Sequence, residues 1–168
     1  MKYLSINEFE TFDVHDCEVT SLIVQNGMVI CELDSVNVST DNSLNDQPED
    51  MEAEPVRATF EGVTIEKIET AGYSSCDSEG NLISTVPRRT LAPVEYADCL
   101  QELLDSIGHL YLFDSEARET ANGHLAAYVD FGGIEVTFSY ARLTVEWEAF
   151  TGRAWYVDFI RKYGIDRT

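Results

Sequence analysis

The sequence predicts an α+β fold in which an antiparallel sheet, built from hairpins, packs against one main helix at about residues 93–107. Two turn signals predict the sheet, because Asn26-Gly27 and Gly132-Gly133 each lie between segments rich in β-branched and aromatic residues. Apolar residues that recur at spacings of three and four predict the helix. The 168 residues are 44 % hydrophobic, so we expect a buried core and a single domain over 1–168.

The first hairpin is predicted around Asn26-Gly27, a dipeptide that favours the tight turn between antiparallel strands. Both of its faces are largely apolar, which indicates that both are covered. A two-residue turn gives the following expected pairs: Val24 with Val29, Leu22 with Cys31, Thr20 with Leu33, and Ile23 with Ile30.

Three segments follow before the helix. Residues 39–55 contain almost no large apolar side chains, and we expect an acidic, mobile loop there. Residues 59–69 are predicted to form one strand with a kink at Gly62. Residues 77–81 combine Asp, Ser, Gly and Asn, which is typical of a turn.

The helix has recognisable ends. Pro93 suits its first position and Gly108 suits its C-terminal cap. A short strand at residues 109–113 is expected to follow. The apolar stripe that predicts packing against the sheet consists of Tyr96, Ala97, Leu100, Leu103, Leu104 and Ile107.

The second hairpin turns at Gly132-Gly133, and the alternation of apolar residues changes phase at Ala141-Arg142, which predicts a bulge or bend. A third hairpin is predicted through residues 150–152 and would place Trp147 opposite Trp155. A helix over residues 153–163 is the competing interpretation. The expected pairs of the second hairpin are Phe131 with Ile134, Val129 with Val136, Ala127 with Phe138, and Leu125 with Tyr140.

The charge is strongly negative and unevenly distributed. Acidic residues number 31 and basic residues 11, which gives a net charge of −20 and argues against binding nucleic acid or anionic membranes. Between Tyr3 and Val56 there is no Lys or Arg, whereas bases gather near the C-terminus. Either the acids serve solubility and the fold relieves their crowding by bringing these bases close, or a cationic partner binds the acids.

The predicted helix carries a second stripe, of carboxylates, and has no Lys or Arg of its own. Successive carboxylates lie three to four residues apart, which is about 5–6 Å along a helix. This distance is of the same order as that between successive phosphates in a nucleic acid strand. Such a row can enter a basic groove, although solvated helix faces are also commonly charged. The predicted partner-binding residues are Glu95, Asp98, Glu102 and Asp105 of the helix, joined by Asp46, Glu49, Asp50 and Glu52 of the loop.

The other residues that could be reactive or bind a metal are interpreted as ordinary structural residues. His15-Asp16-Cys17 sets three reactive types side by side, but neighbouring strand residues point to opposite faces. His15, His109 and His124 lack a metal-binding spacing. Residues 41–52 resemble a calcium loop but have Asp46 where glycine is required. We therefore expect no catalytic residues, no metal and no cofactor.

The four cysteines form no CxxC pair and are expected to be reduced. No secretory signal and no apolar run long enough to cross a membrane is recognised. These observations predict a cytoplasmic protein that does not bind membranes.

Two short stretches resemble a known class of protein. Residues 12–19, which run into the first hairpin, are similar to the start of small bacterial immunity-type proteins, and residues 145–156 are similar to the end of such chains. Immunity proteins of this kind bind and block a toxin, often a nuclease. The resemblance implies an inhibitor role and transfers no catalytic residue.

These observations favour a non-enzymatic acidic binding protein, an immunity or inhibitor protein that blocks a basic protein partner such as a toxin nuclease. One alternative is a small enzyme or ligand-binding domain with a site on the sheet, which would show a concave pocket with convergent polar groups. Another is an uncharacterised housekeeping protein with a merely acidic surface. The oligomeric state stays open.

Overall fold

The structure is a computed structural model that describes residues 1–119 and 125–164. It consists mostly of antiparallel strands with two helices, which confirms the α+β class. Within these residues there are two helices of similar length rather than one main helix. They are α1 (Tyr96–Asp105), preceded by a 3-10 turn at Pro93–Glu95, and α2 (Trp155–Tyr163).

The strands are short. In chain order they are β1 (Tyr3–Ile6), β2 (Phe12–Asp13), β3 (Val19–Gln25), β4 (Met28–Leu33), β5 (Val36–Val38), β6 (Met51–Ala53), β7 (Val56–Glu61), β8 (Thr64–Thr70), β9 (Tyr73–Cys76), β10 (Leu82–Val86), β11 (Arg89–Thr90), β12 (Asp114–Glu119), β13 (Leu125–Asp130), β14 (Ile134–Tyr140), β15 (Arg142–Trp147) and β16 (Phe150–Arg153).

The strands form three sheets and a separate hairpin. The first sheet has the order β1-β15-β7-β4-β3, the second β11-β8-β14-β13-β12, and the third β16-β6-β5-β2. Strands β9 and β10 pair only with each other in the part of the chain that the structure describes, and we call this hairpin the arm. It leaves the second sheet after β8 and returns to it at β11.

Two neighbouring strands turn from the first sheet into the second at the same place, which we call the corner. Strand β7 continues into β8 through Gly62, and β14 continues into β15 through Ala141. Gly62 has φ +67°, and a Cβ added there would lie 2.9 Å from the Cβ of Ala141. The bend expected at Ala141-Arg142 is confirmed, but the kinked strand expected at 59–69 is wrong, because it is two strands in two sheets.

The corner folds the two sheets over one core. Phe60 of β7 contacts Phe138 and Tyr140 of β14 edge-on, with ring centroids 5.1 Å apart in both pairs. The ring centroid of Phe9 lies 5.7 Å from that of Phe60. Side chains from both sheets therefore meet at Phe60, in the edge-to-face geometry that aromatic rings prefer.

Both predicted hairpins are present. The pairs of the second hairpin are confirmed, as are Val24 with Val29, Leu22 with Cys31, and Ile23 with Ile30 in the first. The pairing of Thr20 with Leu33 is wrong, because a bulge at Thr20 puts Val19 opposite Leu33 instead.

Helix α1 confirms most of the predicted stripe, since Leu103 is buried and Tyr96, Leu100, Leu104 and Ile107 pack against the core. Ala97 is exposed instead, and Cys99, which is not part of the predicted stripe, is buried. The strand expected at 109–113 is wrong. Only an isolated bridge forms there, between Glu18 and Tyr111, although Leu110 and Leu112 are buried and hydrogen-bonded to the chain around Cys17.

The hairpin predicted to pair Trp147 with Trp155 is wrong, and the competing helix is correct. Strand β15 already pairs with β1 on one side and β7 on the other, so it has no free edge for a third strand. Trp147 is fully buried and stacks on Tyr3 at 5.1 Å, whereas Trp155 begins α2 and is 65 % exposed. Gly164, at φ +62°, caps α2 through its amide to Ile160.

The corner predicts an unusual sensitivity at Gly62. Gly62→Ala should cost about 2 kcal/mol or more, since a positive φ costs an L residue about 1–2 kcal/mol and the new methyl group also meets Ala141. Gly27→Ala is the matched control, because Gly27 has φ +71° but open space at its Cβ. Urea unfolding of both variants measures the difference.

Adding Ala141→Gly to Gly62→Ala should recover the part of the loss that comes from the clash. Equal losses for the two glycine variants, with no recovery in the double variant, would show that the corner is not sterically tight.

The two tryptophans allow a direct check of the C-terminal helix. Trp147→Phe leaves Trp155, whose fluorescence should be quenched strongly by acrylamide because its side chain is exposed. Trp155→Phe leaves Trp147, which should emit at shorter wavelength and resist quenching. Similar quenching of both variants would contradict the burial of Trp147 and favour the paired arrangement.

Candidate functional site

Three carboxylates of α1 form the outer acidic face of the helix. Asp98, Glu102 and Asp105 are exposed, and none of them forms an ion pair within the described residues. Asp98 and Glu102 line a polar depression of about 200 Å³ whose other walls include Thr70 and Arg89. Asp105 accepts a hydrogen bond from Gln101 of the same helix at 2.8 Å.

Glu95, the fourth carboxylate of the predicted stripe, is used inside the fold. The backbone amide of Ala92 donates to it at 2.8 Å, and the Arg89 guanidinium of β11 also donates at 2.8 Å. These two interactions lower the pKa of Glu95. The stripe is therefore not uniform, since its first member already has a cationic neighbour from outside the helix.

The loop acids lie against the C-terminal segment. Glu49 forms ion pairs with Arg153, at 2.8 Å, and with Arg161 of α2. Asp50 accepts hydrogen bonds from the Thr40 amide and from the Tyr156 hydroxyl, each at 2.8 Å. The fold thus brings basic C-terminal residues to the acidic N-terminal third, as one of the two explanations of the charge asymmetry expects.

The other two predicted loop residues have local partners. Thr151 of β16 donates to a carboxylate oxygen of Glu52 at 3.2 Å, and Gln47 donates to the neighbouring Asp46. Residues 51–53 form β6, so the expected loop is shorter than 39–55. No hydrogen bond or ion pair among the described residues joins these loop acids to the carboxylates of α1.

Buried polar side chains shape the acidic loop. Asn42 donates to the Thr11 hydroxyl at 2.7 Å, and Asn45 donates to the carbonyl oxygens of Val38 and Glu49. The Asn45 amide thus satisfies backbone carbonyls that apolar side chains cannot. A polar network therefore organises a segment that has few apolar residues to bury.

Glu8 ties the same loop to β1. Its carboxylate accepts hydrogen bonds from the Ser5 hydroxyl at 2.5 Å and from the amide and hydroxyl of Ser43. Partial burial raises the pKa of Glu8, but these hydrogen bonds outweigh it and the pKa is lowered overall.

The arm is a feature that the sequence reasoning missed. All its strand residues except Ser75 are exposed, and they include Tyr73, Leu82 and Ile83, each more than 60 % exposed. The turn predicted at 77–81 is confirmed as the tip of the arm. The apolar run that follows this turn was a usable signal for a second strand.

Arg88 anchors the base of the arm. It donates to Glu69 of β8 at 3.0 Å and to Glu135 of β14, while Lys67 and Thr90 also bind Glu69. Hydrogen bonds from Lys67, Thr90 and Arg88 lower the pKa of Glu69 to about 2. The arm and the acidic face of α1 therefore adjoin the same edge strand, β11.

The other groups singled out in the sequence form no reactive centre. His15 and Asp16 pair at 3.1 Å on the surface, whereas Cys17 is buried and its thiol points to the carbonyl of Ser35. Burial raises the pKa of Cys17 to about 12, which disfavours the thiolate. His124 lies outside the described residues. Within those residues, no group of three or more His, Cys, Asp or Glu side chains is arranged to hold a metal.

A pocket also opens beside α1, but its lining is entirely apolar, so it brings no convergent polar groups together. No helix in the described parts of the chain has the length and apolarity needed to cross a membrane. No protein family, curated protein or solved structure matches this chain.

The lowered pKa of Glu69 predicts a pH-dependent contribution to stability. Because the pKa rises to about 4.3 in the unfolded chain, the contribution is complete above that value and is lost as pH falls toward 2. The difference in the free energy of unfolding in urea between wild type and Glu69→Gln should therefore be constant from pH 7 to 5 and shrink at pH 3.

Glu66→Gln on the same strand is the control, since Glu66 is exposed. The difference in the free energy of unfolding between wild type and Glu66→Gln should not shrink at low pH. A Glu69→Gln difference that stays constant down to pH 2 would contradict the proposed role of the carboxylate.

Proposed function

We propose that this protein is a non-enzymatic acidic binding protein, an inhibitor of the immunity type that blocks a basic protein partner such as a toxin nuclease. The observation that carries the proposal is the outer acidic face of α1. Asp98, Glu102 and Asp105 stay exposed without ion pairs in the described residues, on a helix that has no base. Such a face attracts a cationic surface and steers its approach.

The use of basic side chains elsewhere supports this proposal. Ion pairs within the described residues engage Arg57, Lys67, Arg88, Arg89, Arg118, Arg153 and Arg161. These bases pair with acids of the sheets and the loop and with Glu95, and within the described residues no ion pair reaches Asp98, Glu102 or Asp105. With 31 acids against 11 bases, a partner can supply the missing positive charge.

The arm gives the proposed interface an apolar part. Tyr73, Leu82 and Ile83 are exposed on a hairpin whose chain continues into β11, where Arg89 pairs with Glu95 just before α1. Protein interfaces commonly combine an apolar or aromatic centre with a charged rim. In the proposal, three of the eight predicted acids, Asp98, Glu102 and Asp105, contact the partner, whereas Glu49, Asp50 and Glu52 mainly hold the C-terminal segment. The other two, Glu95 and Asp46, bind Arg89 and Gln47 within the fold.

A cytoplasmic location belongs to the same proposal. All four cysteines are free thiols, three of them buried, which agrees with a reducing compartment. An inhibitor that protects its own cell would meet its target there.

The test uses the product of the neighbouring gene as the partner, because immunity genes usually lie beside the toxin gene. The triple variant Asp98→Asn, Glu102→Gln, Asp105→Asn should associate several-fold more slowly than wild type and show a weaker dependence on salt. Its thermal stability should hold or rise, since like charges are removed. Stopped-flow association rates at several ionic strengths measure the effect.

A second triple variant removes the same charge elsewhere. Glu10→Gln, Glu61→Gln and Glu66→Gln change three exposed acids outside α1. If the face of α1 is the interface, this control should retain most of the wild-type association rate. Identical salt slopes for wild type and the α1 variant would contradict the proposal and favour a merely acidic surface.

A further inference from the structure

The second feature of α1 is an apolar cavity of about 250 Å³ on the side that faces the sheets. It lies between the tip of the β3–β4 hairpin, the start of β8, α1 and the β13–β14 hairpin. Every lining residue is apolar or glycine; the walls include Leu22, Val29, Val63, Leu100, Phe131 and Phe138.

The cavity reaches into the core and is more than a surface patch. Leu103 and Val136 in its walls are 2 % and 4 % exposed, whereas Val24 in its lining is 39 % exposed. The amide of Val63 donates to the carbonyl of Gly27 at 2.8 Å, which ties the hairpin tip to the chain just past the corner. Backbone hydrogen bonding therefore connects two of the elements that line the space.

Two smaller voids continue the cavity inward. One of about 50 Å³ shares Leu22, Val29, Phe131 and Phe138 with it, and one of about 20 Å³ shares Phe9, Val14, Leu33 and Ala58 with the second. Protein interiors are normally packed with few voids larger than a water molecule. A series of adjoining apolar voids between two sheets is therefore space that a guest can fill with a gain in contacts.

The lining determines which guest can enter. Water needs two to four polar partners to occupy a buried site, and this lining offers no polar side chain; an apolar cavity of about 150 Å³ can stay dry and bind benzene. A charged head group would find no counter-ion in the lining, and an anion would also be repelled by the net charge of −20.

From these observations we infer that the cavity is a binding site for a small uncharged apolar molecule, aromatic or aliphatic. The site is distinct from the outer acidic face of α1 and does not depend on the proposed inhibitor function. Its opening at the hairpin tip provides the entry, and the aromatic rings of Phe131 and Phe138 provide contact surface.

The experiment uses N-phenyl-1-naphthylamine, an uncharged probe that fluoresces in apolar sites. The wild-type protein should bind it saturably, and benzene should displace it. The sulfonated analogue 1-anilinonaphthalene-8-sulfonate has the same aromatic groups but is an anion, and it should bind more weakly at low salt. Saturable binding of the anion at least as tight as that of the uncharged probe would contradict the assignment of ligand class.

Two matched substitutions locate the site. Val63→Phe extends a side chain into the cavity and should weaken probe binding at least tenfold. Val94→Phe makes the same exchange just before α1, at a residue that is 85 % exposed and does not line the cavity, and it should bind as wild type does. Urea unfolding of both variants verifies that each is folded.

A measurement on the unmodified protein keeps the inference testable if Val63→Phe fails to fold. Addition of benzene should shift the methyl NMR signals of Leu22, Val29 and Leu100, which line the cavity. The methyl signals of Val94 and Leu82, both exposed elsewhere, should stay unchanged. Equal shifts in both groups, or none at all, would overturn the inference.

Discussion

The contact between Gly62 and Ala141 sets the geometry of the molecule. At this corner two paired strands leave one sheet and enter the next, and only a glycine combines the positive φ with the close approach of the neighbouring chain. Phe60, two residues before the corner, can then meet aromatic side chains of the second sheet. Val63 and Ile65, just after it, line the apolar cavity. One steric constraint thus governs both the core and the space left open within it.

The acidic side chains form ion pairs in some parts of the fold and not in others. Exposed ion pairs contribute only about 0–1 kcal/mol each, so their number says little about stability. Glu49 and Glu69 are different, because their side chains are about 15 % exposed and each binds two basic groups. They hold the C-terminal segment and the base of the arm, respectively. The outer face of α1 is among the exposed acidic groups that form no ion pair within the described residues.

Helix α1 therefore has two sides with opposite chemistry. Leu100 and Leu103 face the apolar cavity, while Asp98 and Glu102 face a polar depression. The amphipathic pattern explains how a single short helix can line an apolar cavity on one side and a polar depression on the other. Substitutions on the outer side, at Asp98 or Glu102, therefore leave the apolar cavity on the inner side intact.

The sequence by itself determined the local features: the two glycine turns, the register of most pairs in their hairpins, and the apolar stripe of α1. Each depends on neighbours within a few residues, where turn chemistry and side-chain periodicity act directly. The tertiary structure decided what depends on distant partners. Trp155 starts a helix because β15 has no free edge, and Gly62 divides two strands because Ala141 lies against it. The partners of Glu95 and Glu49 follow the same rule, since Arg89 and Arg161 reach them only when strands and helices far apart in the chain have packed.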